Sequence, residues 1–415
     1  MMKVPRMTVW LLLILLTGCG AAEQPAPADK QIVVLWHTFH GAQEKALHAL
    51  GDRFNREHPA GPVLLVEYQA DSYAKLAAVS PAHYPDLLVI FPEEVAPYAQ
   101  LAEDAPLLTL PLNLQRDLLP MASTLYSREG KLQAIPLGLT TYLLYYNQEW
   151  VKDLGYLAED ATLADLQNVS CAATNIQGGQ IGLGIPVQPS TLLALLVVDQ
   201  QALTDEAGYY RLNTEETTEI ATVTHELLRQ GCGRFYELAQ KGIAQFSNSK
   251  MALIFASSQQ QREIADAIGI DRKFSVGVMA VPGLDGPGGT LWRGPGVFSL
   301  APAGKRHQAA EVVTSWLLSS EAQTLWSAQT QYLPVCRSLV MKRLAAAEAN
   351  EIEQGLLQLL LTTADDERWI AWPPRATEPA CRAALVRTLF DLNTDKSNLE
   401  LLQAVEVACN EELLP

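Results

Sequence analysis

Short apolar runs rich in β-branched residues alternate along this chain with longer stretches of helical periodicity. Gln31–Trp36 (QIVVLW) reads as a strand. In the following segment, 42–58, Ala46, Leu47, Leu50 and Phe54 recur at helical spacing. Pro62–Tyr68 and Asp86–Phe91 read as two further strands, the second with a proline just behind it. Strand, helix and strand at this spacing indicate an α/β sheet built from parallel βαβ units. Such sheets bind ligands in the crevice outside the carboxyl ends of their strands. His37, Thr38, Phe39 and His40, just past the first strand, occupy that position.

The pattern continues through the middle of the chain. In LQAIPLGLTTYLLYYN (Leu132–Asn147), Thr141, Leu143 and Tyr145 face one side, and Tyr142, Leu144 and Tyr146 the other. From Val151 to Gly242 helices dominate. Thr214–Gln230 opens on Glu215 and Glu216 and stops at Gly231, a helix C-terminal signal. Lys250–Ala256 and Ser275–Val281 are strand-like. Residues 309–328 read as one helix with Trp316, Leu317 and Leu318 on its apolar side, and Trp326 also faces inward. After Pro334 the chain reads as helical, with Leu356–Leu361 and Leu399–Val407 its apolar stretches. The Pro- and Gly-rich segment Pro282–Pro295 reads as a loop, and no internal repeat is present.

Size and charge narrow the choice. A chain of 415 residues exceeds one ordinary core of about 100–200 residues, so two lobes are expected. With 46 acidic against 30 basic side chains the formal charge is -16, which argues against nucleic acid, since a phosphate backbone is bound by Lys and Arg.

The N-terminus has the three parts of a secretory signal: Lys3 and Arg6, the apolar run Met7–Leu16, and the small-residue exit Thr17-Gly18-Cys19-Gly20. The run is too short for a spanning helix of about 20 residues. Leu16-Thr17-Gly18-Cys19 resembles the bacterial lipobox, which implies removal of residues 1–18 and lipidation of Cys19. The Ala-, Pro- and polar-rich segment from there to Lys30 suits a tether. The expectation is an exported, lipid-anchored body at the outer face of the cytoplasmic membrane. Export places the remaining cysteines in an oxidising space. Without Cys19, five of the six remain, so at least one thiol is free or intermolecular. Cys171–Cys232 is the favoured bridge, with a second drawn from Cys336, Cys381 and Cys409. The spacings hold no CxxC, and neither a metal nor a cofactor is expected.

Five segments in order resemble the extracellular solute-binding proteins of ABC importers, in the large family that binds sugars and glycerol phosphates. They are Val34-Leu35-Trp36-His37-Thr38-Phe39-His40-Gly41 with the Phe54–Pro59 helix end, and Tyr84-Pro85-Asp86-Leu87-Leu88. Then come Ala134–Gly138 with Tyr145-Tyr146-Asn147, and Phe246–Leu253 leading to Ser257-Ser258. The last is the 309–328 helix with Tyr332-Leu333-Pro334-Val335. The resemblance implies a periplasmic-binding-protein-like fold of type II: two α/β lobes joined by crossing strands, with a hinge and a ligand cleft between them. It implies residues 31–140 and 271–320 in lobe 1, and 141–270 and 321–415 in lobe 2. The implied crossings lie near Tyr142–Asn147, Ala267–Ser275 and Ser320–Val335. The implied partners are a small-molecule ligand and ABC permease subunits, and the implied state is a monomer.

A sugar presents an apolar ring face and a rim of hydroxyls, so its site needs flat aromatics and hydrogen-bonding groups. A glycerol phosphate needs positive charge, best supplied by Arg. Family-aligned positions offering both are Trp36, His37, Thr38, His40, Phe91, Glu93, Tyr142, Ser257, Ser258, Trp292, Arg293, Gly294, Tyr332, Trp369, Trp372 and Arg375. Trp292 stands out as a large aromatic in a Gly/Pro loop with little core to join. The chain departs from the family at Gln331, where Gly is usual, and at Trp292-Arg293-Gly294-Pro295-Gly296, where a Gly-Gly segment is usual. Arg293 and Arg375 facing the cleft together would favour an anionic ligand; Trp residues alone would favour a neutral sugar.

HExxH, GxSxG, a P-loop and GxGxxG before a helix are all absent from the sequence. The pairs Glu93-Glu94 and Asp365-Asp366 are adjacent and read as solvated, not as opposing walls of a glycosidase site. The expectation is a carbohydrate-binding, non-enzymatic importer component. A glycerol-3-phosphate or glycerophosphodiester binder, a secreted glycosidase and a sensory binder are the alternatives.

Overall fold

The structure is a computed structural model that describes residues 30–102, 105–154, 160–205, 207–269, 274–346, 350–373, 376 and 378–411. Residues 1–29, which hold the expected signal, Cys19 and all of the expected tether but Lys30, lie outside the described residues.

Fourteen strands are formed by the described residues. β1 (Ile32–His37), β2 (Val63–Tyr68) and β3 (Leu87–Ile90) come first, then a small hairpin of β4 (Ser127–Arg128) and β5 (Lys131–Leu132), and β6 (Ala134–Pro136). β7 (Tyr142–Asn147), β8 (Ile181–Pro186), β9 (Gly233–Tyr236), β10 (Met251–Ser257) and β11 (Val276–Met279) follow. The series closes with β12 (Thr290–Trp292), β13 (Gly296–Ser299) and β14 (Trp369–Ala371).

Two five-stranded sheets define two lobes. The first has the order β2-β1-β3-β13-β6, and the second β11-β7-β10-β8-β9. In the first, β1 runs parallel to β2 and β3, while β13 is antiparallel to β3 and β6. In the second, β8 runs parallel to β9 and β10, while β7 is antiparallel to β10 and β11.

The helix Ala42–Glu57 covers the first sheet through Ala46, Leu47, Leu50 and Phe54, all buried, as its periodicity predicts. Asp86 reinforces the strand entry. Its buried carboxylate accepts from the Val34 N–H (2.9 Å) and from Arg306 Nε (2.7 Å). The alternation in β7 sorts its side chains into two cores: Leu143 and Tyr145 into one, Leu144 with Tyr142 and Tyr146 into the other.

Two readings from periodicity change, and one that the resemblance implied. The single helix expected over 309–328 is two, Lys305–Leu317 and Ser320–Thr330. Ser319 breaks it by capping the second with its side chain, which accepts from the Ala322 N–H. The segment expected to be a loop contains β12, because β14 pairs with it in parallel. The third change concerns the lobe boundaries. β11, which the resemblance placed in lobe 1, extends the second sheet beside β7. Helix Ser320–Thr330, grouped with lobe 2, packs on helix Ala42–Glu57 of the first lobe. The later helices, Glu351–Asp365, Pro379–Asp391 and Asn398–Asn410, pack on the second lobe.

Two disulfides tie the second lobe. Cys171–Cys232 joins helix Leu163–Ala173 to the start of β9, and Cys381–Cys409 joins the last two helices. Cys336 is a buried free thiol, which burial pushes up to about 12. Among the described residues, no helix is long and apolar enough to cross a membrane.

Candidate functional site

Four extended segments lie side by side where the chain passes between the sheets. Leu139 bridges Leu333, with N–H to carbonyl distances of 2.9 and 2.8 Å. Thr140 bridges Arg293 at 2.7 and 3.0 Å, and the Trp372 N–H donates to the Trp292 carbonyl at 2.9 Å. The chain passes from the first sheet to the second over 137–141, between β6 and β7, and returns over 280–295, between β11 and β13.

This floor opens into a cavity of about 260 Å³. Its wall is formed by Thr140, Tyr142, Gln188, Pro189, Ser190, Ser257, Gln259, Leu291, Arg293, Trp372, Ala376 and Arg382. Gln188–Ser190 arrive at the carboxyl end of β8, where helix Pro189–Leu196 begins. Ser257 ends β10 and Tyr142 begins β7, so the wall is made at strand ends.

Most of the polar groups are hydroxyls and amides already linked to one another. The Tyr142 hydroxyl donates to Gln188 Oε1 at 2.5 Å. Thr140 Oγ1 lies 3.2 Å from Ser257 Oγ and 3.1 Å from Ser258 Oγ. Burial raises the Tyr142 phenol pKa, so it remains a donor at neutral pH.

Arg293 links the cavity to the first lobe. Its Nε donates to Glu93 Oε1 at 3.0 Å, and Nη2 donates to the same oxygen. The guanidinium carbon lies 3.8 Å from the Phe91 ring centroid and 5.2 Å from that of Trp372. Burial alone would pull the guanidinium pKa down, but Glu93 carries it above the ordinary arginine value. An aromatic row continues behind it. Phe91 meets Phe39 at 5.9 Å, Phe39 meets Trp326 at 6.2 Å, and Trp326 stacks on Tyr332 at 5.8 Å.

Of the residues singled out by sequence, Tyr142, Ser257, Arg293 and Trp372 line the cavity, and Phe91 and Glu93 contact it through Arg293. Ser258 is fully buried behind it, its Oγ accepting from the Thr141 N–H at 3.2 Å and lying 3.1 Å from Thr140 Oγ1. Tyr332 is buried against Trp326, and burial pushes its phenol up to about 12. Trp369 is half-buried on β14 and packs into the first core. Arg375 lies outside the described residues.

The remaining positions are elsewhere. Trp36 is buried on β1, donating to Glu67 Oε2 at 2.9 Å beneath the Lys75 ammonium. His37 has no exposed surface, and its Nδ1 accepts from the Phe39 N–H at 3.2 Å. Thr38 and His40 are exposed, with His40 bonded to the Tyr68 hydroxyl at 3.0 Å. Trp292 corrects the expectation most directly. It is 1% exposed, its indole N–H donates to Thr290 Oγ1 at 2.7 Å, and it belongs to the core. Gly294 serves backbone packing, as described below, and does not line the cavity.

Thr140, Gln188, Ser190, Gln259 and Arg382 are the polar wall residues not singled out by sequence. The first four sit at or beside the ends of strands, so the strand-end rule applied to the second lobe would have reached them. Arg382 comes from a helix remote in sequence. None of the wall residues is a carboxylate, and among the described residues no group of acidic, His and Cys side chains could hold a metal.

Two sheet-bearing lobes, short crossing segments and a cleft lined by an aromatic face, hydroxyls, amides and two arginines define a solute-binding architecture. The comparisons agree. The model of the bacterial extracellular solute-binding protein family matches residues 49–351, and the chain belongs to that family. It is 22% identical over 226 residues to the arabinooligosaccharide-binding protein of Bacillus subtilis, covering 52% of this chain and 51% of that protein. The matched part thus spans about half the length of that relative. It is also 22% identical over 341 residues to the sn-glycerol-3-phosphate-binding periplasmic protein UgpB of Shigella dysenteriae, covering 74% of each. Among solved structures, the cyclic alpha-maltosyl-1,6-maltose binding protein of Arthrobacter globiformis superposes with a TM-score of 0.73 at 19% identity. That match covers 92% of this chain and 99% of the other.

Proposed function

We propose that this protein is the substrate-binding component of an ABC importer and that it reversibly captures a mono- or oligosaccharide in the cleft. The observation that carries this reading is the composition of the cavity wall: the Trp372 ring beside hydroxyls and amides of Tyr142, Thr140, Ser190, Ser257, Gln188 and Gln259, with no carboxylate and with two arginines, of which Arg293 is already paired with Glu93 and Arg382 is exposed. A sugar ring lays its apolar face on an aromatic and gives its hydroxyls to such groups. A glycosidase would need two carboxylates flanking the bond, which this wall does not supply. Names of relatives and neighbours that bind arabino- or maltosyl oligosaccharides support the carbohydrate assignment.

Ligand capture shifts the lobes toward a closed form that permease subunits recognise, through the ligand's differential affinity for the two arrangements. The protein works as a monomer, exported and held at the membrane by a lipid on Cys19, with residues 1–18 removed. The first sheet with helices 305–345 forms one lobe, and the second sheet with the helices after 350 the other. A thermal-shift screen of neutral oligosaccharides, glycerol phosphate and glycerophosphodiesters tests the ligand. A ligand at 100 times its Kd adds about 2.7 kcal/mol. Stabilisation by a neutral oligosaccharide is expected; stabilisation by glycerol phosphate alone contradicts the reading. Cys19→Ser tests the anchor, with release from the membrane fraction expected and unchanged retention contradicting it.

A further inference from the structure

We propose that Glu93 sets the charge class of ligand the cleft admits, by pairing with Arg293 so that the guanidinium offers hydrogen bonds without net charge. This rests on the carbohydrate reading and adds a selection rule to it. The Glu93 side chain is 3% exposed and the Arg293 side chain 26%, so the acid is hidden and the base faces the cavity. An arginine fork binds a ligand carboxylate or phosphate bidentately. Here Glu93 occupies that edge through Nε and Nη2, while Nη1 has no acceptor among the described residues.

Phe91 on the ring face and Trp372 nearby keep the guanidinium from turning away from Glu93. An anionic ligand would therefore have to displace Glu93 or sit beside a second negative charge, whereas a neutral hydroxyl can accept from Nη1 at no such cost. The other ionisable groups facing the pair keep the balance. The Tyr126 and Tyr332 phenols are held neutral by burial, and burial likewise raises Glu94 and disfavours its charged form. Arg382, the remaining charged wall residue, is exposed, and its charge is screened by water.

The test compares the full chain with Glu93→Gln and with the double variant Glu93→Gln/Arg293→Gln. The probes are maltotetraose and an arabino-oligosaccharide as neutral ligands, and sn-glycerol 3-phosphate and a uronate-containing oligosaccharide as anionic ones. Affinities are measured at low and high salt. Expected for Glu93→Gln is a rise of at least about tenfold in the anionic-to-neutral affinity ratio, diminished by salt. The double variant, which again has no net charge at this point, returns the ratio to its wild-type value, and it keeps the test open if the single variant folds poorly. A neutral ligand bound by the wild type with an unchanged ratio in Glu93→Gln overturns the inference alone. Wild-type preference for an anionic probe overturns both readings, and so does the absence of any binding. A gain of anion binding by Glu93→Gln, without neutral binding by the wild type, supports the charge rule and removes the carbohydrate.

Discussion

Gly294 and Gly138 pack backbone against backbone at the crossing between the sheets. A Cβ built on Gly294 would lie 1.8 Å from the Gly138 carbonyl oxygen, closer than any real contact. The obstacle is main chain, so it cannot be relieved by a rotamer change. Gly294→Ala therefore separates the crossing segments. The expected outcome is a lower melting temperature and weakened ligand binding, measured on the same preparation; unchanged values of both would refute the role assigned to this contact.

Trp292 and Trp372 are adjacent across the β12–β14 ribbon but have different duties. Trp292→Ala empties a core position, and a loss of about 3–5 kcal/mol is expected by chemical denaturation. A denaturation midpoint near that of the wild type would show that the core closes over the gap.

How far the sequence reached is clear from these two tryptophans. Apolar runs located the principal strands and the paired faces of β7, because period-two patterning is local. Trp292 reads as a loop residue because its strand exists only through pairing with Trp369–Ala371, a partner far away in sequence. Glu93 and Arg293 each stand out as candidates in the sequence, yet their pairing does not, since 200 residues separate them. Gln188 and Ser190 escape a reading of the sequence, their one signal being position just past the end of β8. The His37 region misled for a different reason: the turn after β1 directs Phe39, not its neighbours, toward the aromatic row.

Cysteine chemistry provides an independent check on packing. With its pKa pushed up by burial, Cys336 should resist thiol reagents at pH 8 in the native Cys19→Ser variant and react once after unfolding without reductant. Rapid native labelling would place it at the surface. Breaking Cys381–Cys409 by Cys381→Ser/Cys409→Ser should cost about 3–4 kcal/mol, the loop-closure value for a separation of this size.

His37 makes stability depend on pH. Burial, then His48, lowers its folded-state pKa from 6.5, so the unfolded chain takes up the proton first. Its contribution is complete above pH 6.5 and is lost as pH falls through the lower folded value. His37→Asn keeps an acceptor for the Phe39 N–H and removes the titration. A flatter decline of melting temperature below pH 6.5 is expected in the variant. Parallel curves for variant and wild type would assign the decline to other groups.

The central claim is that the cleft around Trp372 binds a neutral carbohydrate, and calorimetric titration of the wild type and Trp372→Ala with neutral oligosaccharides tests it most directly. Loss of one stacking face should weaken binding by about tenfold or more, while the ligand-free protein loses less stability than Trp292→Ala does, since Trp372 is only half-buried. Saturable binding in the wild type that disappears or weakens in this way is the predicted result. Equal affinity in both proteins, or no neutral oligosaccharide bound by the wild type, would contradict it.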